Sequence, residues 1–302
     1  MAVITTGSFS KALWPGVNKW YGDAYTEFPV EYTKLFDTFT SRKAFEEDVG
    51  MSGLGLAQVK TETGSVNYDS MQQGFISRYT HVTYALGFLV SREAFEDDQY
   101  DVIAEKRAKA LAYSMRQTKE VVGANVYNRA FTAGYTGGDG VVLCSTSHPN
   151  VAGGTQSNIT TAATLSEASL EAMVIAMGKW QNDRGLKINV MPKTLIIPVD
   201  LEFEANRILG SEYRVGTANN DINAINTLQK FPGGIAVNHY LTDTNGYFIR
   251  TSAQDGMKYF ERTPDNFSED NDFDTTNAKF KAYGRYSFGW TDWRGVMGNE
   301  GA

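Results

Sequence analysis

Asp98–Phe131 reads DQYDVIAEKRAKALAYSMRQTKEVVGANVYNRAF. The stretch holds no proline and a single glycine, Gly123. Ala104, Ala108, Leu111, Met115, Thr118, Val122 and Val126 recur at steps of three and four, which puts them on one stripe of an α-helix. Glu105 and Lys109 form an i, i+4 pair in the favourable order. At 1.5 Å per residue the helix would span on the order of 50 Å, more than a compact domain needs. The stripe is rich in alanine and short of leucine, so a coiled coil fits poorly. Small side chains instead let a second layer approach closely.

Working outward toward the N-terminus, Val82, Tyr84, Leu86, Phe88 and Val90 alternate with Thr83, Ala85, Gly87 and Leu89, the pattern of a half-buried strand. Ser91 reads as an N-cap, with Ala94 and Phe95 in a short helix after it. Residues 51–81 differ in character. Met51-Ser52-Gly53-Leu54-Gly55 is glycine-rich, and Gln58–Tyr68 reads as extended, polar and unable to supply its own core. The pattern predicts a projecting hairpin with a register weakly specified by burial, one that needs a partner surface because isolated hairpins are marginal in water. An ordinary surface loop is the plainer reading. In the first fifty residues Trp14-Pro15-Gly16 and Phe28-Pro29-Val30 argue against a long helix, and a short one is expected over about Gly16 to Thr26. Trp14, Trp20, Tyr21, Tyr25, Phe28, Tyr32, Phe36 and Phe39 lie scattered there. They suit an arm that buries aromatics against something else, or an extension folded back on its own domain.

On the C-terminal side, Gly134–Gly140 ends the long helix, and Val141–Ser145 is expected as a short strand with a turn at Ser147–Asn150. Ser166 caps a second helix whose apolar face is Leu170, Met173, Val174 and Met177. Pro192–Pro198 is a short buried strand bounded by prolines. Leu201–Leu209 forms a third helix with Phe203 and Ile208 inward. Gly234–Tyr240, Tyr247–Ser252 and Met257–Arg262 read as strands between Asp, Asn and Gly turns. Thr263–Thr276 reads as acidic and irregular, Lys279–Gly289 as a last alternating strand, and Trp290–Gly298 closes the chain.

The chain has 302 residues, enough to bury a sizeable core. It is 42% hydrophobic with a formal charge of -7, which places it outside the disordered class. That sign argues against a general nucleic-acid binder, whose affinity rests on Lys and Arg, and suits solubility at high concentration. Cys144 is the only cysteine, so no intrachain disulfide forms. Met1–Ser10 lacks the basic and apolar regions of a secretory signal, and no apolar stretch reaches a membrane span. The chain reads as cytosolic in origin.

Signals for catalysis are thin. His81, His148 and His239 are far apart in sequence and lack zinc-site spacing. Cys144 and His148 could form a nucleophile and base, but in a strand and turn they are expected to point apart. No dinucleotide fingerprint or phosphate loop is present. The acidic run Glu269–Asp274 lacks EF-hand spacing and reads as a solvated loop. No catalytic, cofactor-binding or metal-ligating residue is expected. An arm, a partnerless hairpin and an overlong helix favour assembly.

Four stretches, in this order, resemble the major capsid protein of tailed bacteriophages, in the branch of the Mu-like major head subunit. They are Val90–Asp98 leading into the long helix, Asp139–Pro149 after it, Leu195–Glu202 with Ala205–Leu209, and Trp290–Gly295. The resemblance spans most of the chain from about residue 80. The same fold occurs in encapsulins and in the herpesvirus capsid floor. It implies an α+β fold with an N-arm (1–50), an extension hairpin lying over an adjacent subunit (51–81), a peripheral domain on a spine helix (82–140, completed by C-terminal strands in 255–302) and an axial domain (141–254). It further implies pentamers and hexamers in an icosahedral shell around double-stranded DNA, a wall that the negative charge would suit. A portal and a separate scaffolding protein are expected partners, with room for a decoration protein and no membrane. No long charged helical segment precedes the arm, so no cleaved scaffolding segment is expected. The place is the virion capsid, after synthesis in the host bacterial cytoplasm. Subunit contacts are expected at Val59, Lys60, Glu62, Val66, Tyr68 and Met71 of the hairpin and Trp14 and Trp20 of the arm. Lys60 has no identified partner, so no covalent crosslink is expected. An encapsulin-like compartment with enzyme cargo is the alternative on the same fold. A tail-tube protein suits the long helix poorly, and an enzyme around Cys144 and His148 is the remaining reading.

Overall fold

The computed structural model describes residues 10–91, 100–214, 221–271 and 277–302. The short helix expected around Ala94 and Phe95 lies outside them. The fold is α+β, built on two four-stranded sheets.

The first sheet has the order β1 (Asp37–Thr40), β10 (Met257–Asn271), β11 (Ala278–Trp290), β4 (Val82–Val90). Strand β1 runs parallel to β10; the other pairs are antiparallel. Across one face lie α1 (Ser10–Glu27) and the long helix α3 (Tyr100–Asn128), whose 29 residues span roughly 43 Å. The expected stripe is buried through Ala104, Ala108, Leu111 and Met115, joined by Ala112. These small residues admit Tyr21 and Ala24 of α1 on one side and Phe280 and Ala282 of β11 on the other. Beyond Met115 the stripe departs from the expectation. Thr118, Val122 and Val126 are only half-buried, and the covered face continues through Lys119, Glu120, Ala124 and Tyr127. Charged residues occupy it because each has a buried polar partner. Lys119 meets Asp265 and Glu261. Glu120 accepts the backbone N–H of Glu31 and Tyr32, at the start of α2 (Tyr32–Leu35). Burial pushes the Glu120 carboxyl above the usual carboxylate range.

The second sheet has the order β12 (Val296–Asn299), β9 (Tyr247–Thr251), β7 (Pro192–Ile197), β8 (Ile235–Val237). Leu195, Ile197, Tyr247, Ile249 and Met297 pack into a core with α4 (Glu167–Met177) and α5 (Glu202–Gly210). Ile196, Ala236, Phe248 and Val296 face the opposite way, against Tyr127, Leu143, Tyr32 and Phe36. Burial on both faces is why Leu195-Ile196-Ile197 of β7 reads as an unbroken apolar run. This second core joins the two sheets at the end of α3. The final strand β12 therefore pairs in the second sheet and not with the C-terminal strands of the first.

Several local expectations are corrected. Helix α1 starts at Ser10 and runs through Pro15. Proline's fixed φ is helical, and near a helix start it forfeits one backbone bond. Of the arm's aromatics, Tyr21, Tyr32 and Phe36 are buried within this chain, and Phe39 is exposed. Gln58–Tyr68 is not a strand; the paired strands are β2 (Phe45–Met51) and β3 (Gln73–Thr80) on either side of it. Val141–Ser145 forms no ladder beyond a bridge between Val142 and Thr136. Its backbone is satisfied instead by Ala130 O and the Asn158 side chain. His148-Pro149 does not turn away but pairs, as β5, with β6 (Thr155–Gln156). Thr263–Asn271 continues β10, with irregularities between Glu261 and Asn266 that accommodate Pro264. In α5 Ala205 and Ile208, three apart, face the core, and this leaves Phe203 74% exposed.

Candidate assembly surface

The hairpin is a short ladder carrying a long unpaired tip. Strands β2 and β3 pair from Phe45 with Thr80 to Met51 with Gln73. Ser52 closes the ladder: its N–H donates to Gln72 O at 2.9 Å, and its Oγ accepts the Gln72 N–H at 2.8 Å. From Gly53 to Met71 the tip has no regular structure.

The stalk is fixed firmly to the body. Lys258 Nζ lies 2.6 Å from Asp48 Oδ2, which also accepts from Thr291 Oγ1 at 2.9 Å. Tyr79 Oη and Thr291 Oγ1 are 2.6 Å apart. Gly138, in the loop after α3, lies so close that a Cβ there would stand 2.5 Å from the Ile76 carbonyl oxygen. At the junction of β3 and β4, His81 is buried between Ser287 Oγ at 2.9 Å and Ser41 Oγ at 3.1 Å. Burial, assisted by Arg285, lowers its pKa, so the ring stays neutral at neutral pH.

The tip has one strong tether. Asp69 takes a two-pronged contact from Arg184, in the turn before β7, and accepts the Gly55 N–H at 2.7 Å. The Arg184 and Gly55 hydrogen bonds hold the Asp69 carboxyl down at about 2. Its folded pKa lies below the unfolded value, so the tether is fully present above about pH 4 and is lost as pH falls toward 2. Asp69→Asn is expected to raise the rate of tryptic cleavage at Lys60 severalfold. The global unfolding midpoint should hardly move, because exposed ion pairs add little. Unchanged cleavage would show that the tether does not restrain the tip.

The expected contact residues fall on this tip, and most are bare. Val59 is 98% exposed and Tyr68 96%. Val66 and Met71 are more than half exposed, and Lys60 and Glu62 are exposed beside them. Leu54 and Leu56, the latter 78% exposed, add apolar surface that the sequence reading passed over. Trp20 is elsewhere, packed against the core under α1. Trp14 falls in α1, and its side chain lies outside the described residues. A further bare apolar group, Phe203, Ile222 and Leu228, lies around α5 and α6 (Ala224–Thr227).

The Cys144–His148 pair has no access for chemistry. Burial drives the Cys144 thiol far above its ordinary pKa, which removes its nucleophilic form. His148 is buried, with Nδ1 2.6 Å from Asp139 Oδ2 and Nε2 3.1 Å from Asn158 Oδ1, and its ring stacks on Trp293. Asn158 also donates to the carbonyls of Leu143, Trp293 and Val296. The group is a structural knot between the loop after α3 and β12.

A two-sheet body on a spine helix, carrying an apolar tip that its own chain leaves bare, has the build of a shell-forming subunit. The comparisons agree. The chain matches the phage capsid protein family over residues 75–298, and it belongs to that family. Solved structures of similar fold include the virus-like particle from Pyrococcus furiosus, at 12% identity and TM-score 0.52, covering 94% of this chain and 98% of that one. The structure titled Mycobacterium phage Adephagia matches at 12% identity and TM-score 0.52, with 90% of each chain covered. The capsid of the native GTA particle matches at 13% identity and TM-score 0.53, again over 90% of each. No curated protein matches the sequence. The protein is a capsid shell protein, and the fold is the tailed-phage capsid fold.

Proposed function

We propose that this chain is the major head subunit that assembles into pentamers and hexamers of an icosahedral shell around double-stranded phage DNA, without enzymatic activity. The observation that carries this reading is the hairpin tip, fixed at its base and apolar where nothing of its own chain covers it. Burying a side chain such as Leu54, Leu56 or Val66 against another copy stabilises the contact by on the order of 1.5–3 kcal/mol each, before the costs of ordering. In this reading the first sheet with α3 is the peripheral domain. The second sheet with α4 and α5 is the axial domain, and the bare group around Phe203 is its tip. The hairpin reaches over a neighbour, with its stalk beginning at Phe45. Portal and separate scaffolding protein would be further partners, with room for a decoration protein. Synthesis is in the bacterial cytoplasm.

The test is electron microscopy of the full chain made in bacteria, alone and with the scaffolding protein, followed by analysis of particle contents. Uniform closed shells are expected, filled with DNA when the packaging machinery is present. A subunit that stays monomeric in every condition would refute the shell. Shells that load a protein cargo and exclude DNA would favour the encapsulin-like alternative.

A further inference from the structure

Asn245-Gly246 is the only Asn-Gly pair in the chain; every other asparagine precedes a residue that carries a Cβ. The pair lies in the turn just before β9. Glycine is required there, because a Cβ on residue 246 would stand 2.8 Å from Asp243 Oδ2. Asparagine is a thermolabile residue, and most of all before glycine, where no Cβ keeps the next amide nitrogen from the side-chain carbonyl. The structure leaves both reacting groups unengaged. Asn245 is exposed. Its backbone N–H donates to Asp243 Oδ1 at 2.9 Å, and Thr244 Oγ1 approaches its Oδ1 at 3.5 Å. Among the described residues neither Asn245 Nδ2 nor the Gly246 N–H donates a hydrogen bond. The amide that would leave and the nitrogen that would attack are both free.

We propose that Asn245 is a self-modification site, which converts without an enzyme to an isoaspartyl or aspartyl residue. The Gly246 nitrogen attacks Asn245 Cγ. The new N–Cγ bond closes a cyclic imide, the Cγ–Nδ2 bond breaks, and Nδ2 leaves as ammonia with the proton that Gly246 gives up. Water then opens the ring. Opening at the main-chain carbonyl gives the isoaspartyl link, and opening at Cγ gives aspartate. One water is consumed, one ammonia is released and nothing is oxidised. The conversion reaches beyond the turn, because Gly301 packs directly on it. A Cβ on Gly301 would overlap the Asn245 carbonyl oxygen and stand 2.7 Å from the Asn245 Cβ. An isoaspartyl link adds a methylene to the main chain and a carboxylate beside Asp243, so this close fit is lost and Glu300–Ala302 come loose. Strand β12 holds. Asn299 is buried, and its Nδ2 donates to Thr160 Oγ1 at 2.8 Å and Thr161 O at 2.9 Å. The inference goes beyond the shell reading and does not depend on it, since a single free subunit carries the whole site.

The test is to age the purified, folded full chain at physiological temperature, at neutral and at mildly alkaline pH, and to map its peptides by mass spectrometry. Labelling with an isoaspartyl methyltransferase separates the two products. Progressive loss of the Asn245 amide is expected while the other asparagines keep theirs. The loss should quicken in proportion to hydroxide, because the attacking nitrogen must shed its proton. Asn245→Gln, whose longer side chain closes a ring far more slowly, should keep its amide. An Asn245 amide that lasts as long as those of the other asparagines, or that is lost only after denaturation, would overturn the proposal. Hydrogen exchange reads the consequence. The Gly301 N–H, which donates to Asn299 Oδ1 at 2.9 Å in the fresh chain, should exchange severalfold faster in aged wild type and unchanged in aged Asn245→Gln. Equal exchange at 300–302 in fresh and fully converted wild type would overturn the link between the turn and these last residues.

Discussion

Excision of residues 56–67 is expected to leave a folded subunit that makes no closed shells. The cut removes no ladder pair, because β2 and β3 end at Met51 and Gln73. It spares the Ser52–Gln72 closure and the Asp69–Arg184 tether. Shortening a flexible loop changes closure entropy only slightly, and in the favourable direction, so thermal unfolding should stay close to wild type. Assembly loses Leu56, Val59 and Val66, together about 5 kcal/mol of apolar burial per contact at ~1.5 kcal/mol or more each. At 1.4 kcal/mol per tenfold, each contact weakens by three orders of magnitude or more, and a shell repeats that contact at every subunit. Particle yield by sedimentation and electron microscopy is the readout. Normal shells at the wild-type protein concentration would remove the tip from the assembly mechanism.

The parts of the fold that were legible in the sequence are those where burial imposes a period. Helix α3 announced itself through alanines at three- and four-residue steps, and β7 through an apolar run between prolines. The Ser166 cap of α4 was readable from residue type alone, and it forms, with Ser169 completing a reciprocal pair. Legibility failed where polar groups satisfy one another across long sequence distances. The far half of β10 looked like an acidic loop, yet Ser268 and Asp270 pair across the sheet with Lys281 and Lys279. Lys119 was absent from the expected apolar stripe, and its partners Glu261 and Asp265 lie more than 140 residues away. The hairpin tip was legible as a segment without a core, but its ladder was misplaced. Phe45–Met51 alternates half-buried and exposed residues with two glutamates and an aspartate, a weak strand signal. The Asp69–Arg184 tether left no trace, since nothing local links the two residues.

Lys119→Ala is expected to be among the most destabilising single changes in the protein. Its Nζ lies 2.9 Å from Asp265 Oδ2, 3.3 Å from Glu261 Oε1 and 3.3 Å from Tyr25 Oη, with the Tyr286 ring 5.1 Å away. Both Lys119 and the Asp265 side chain are almost fully buried. Tyr25 donates to Asp265 Oδ2 at 2.5 Å; burial and the Asp265 charge raise the hydroxyl's pKa and keep it a donor. Removing the ammonium strands the Asp265 charge in the seam between α1, α3 and β10. Breaking a buried pair from one side costs about 3–5 kcal/mol, which in a chain this size lowers the melting midpoint by on the order of 10 °C. Glu261 is partly exposed and can rehydrate, so most of the penalty falls on Asp265. The pair Lys119→Met, Asp265→Asn should therefore recover much of the loss, and the double-mutant cycle isolates the coupling. Because Tyr25 is carried by α1, the single mutant should also free that helix, visible as faster proteolysis near its end while the second sheet stays protected. A Lys119→Ala protein melting within a degree or two of wild type would mean that water already solvates this seam, and that apolar packing of Tyr21 and Ala24 alone holds α1 in place.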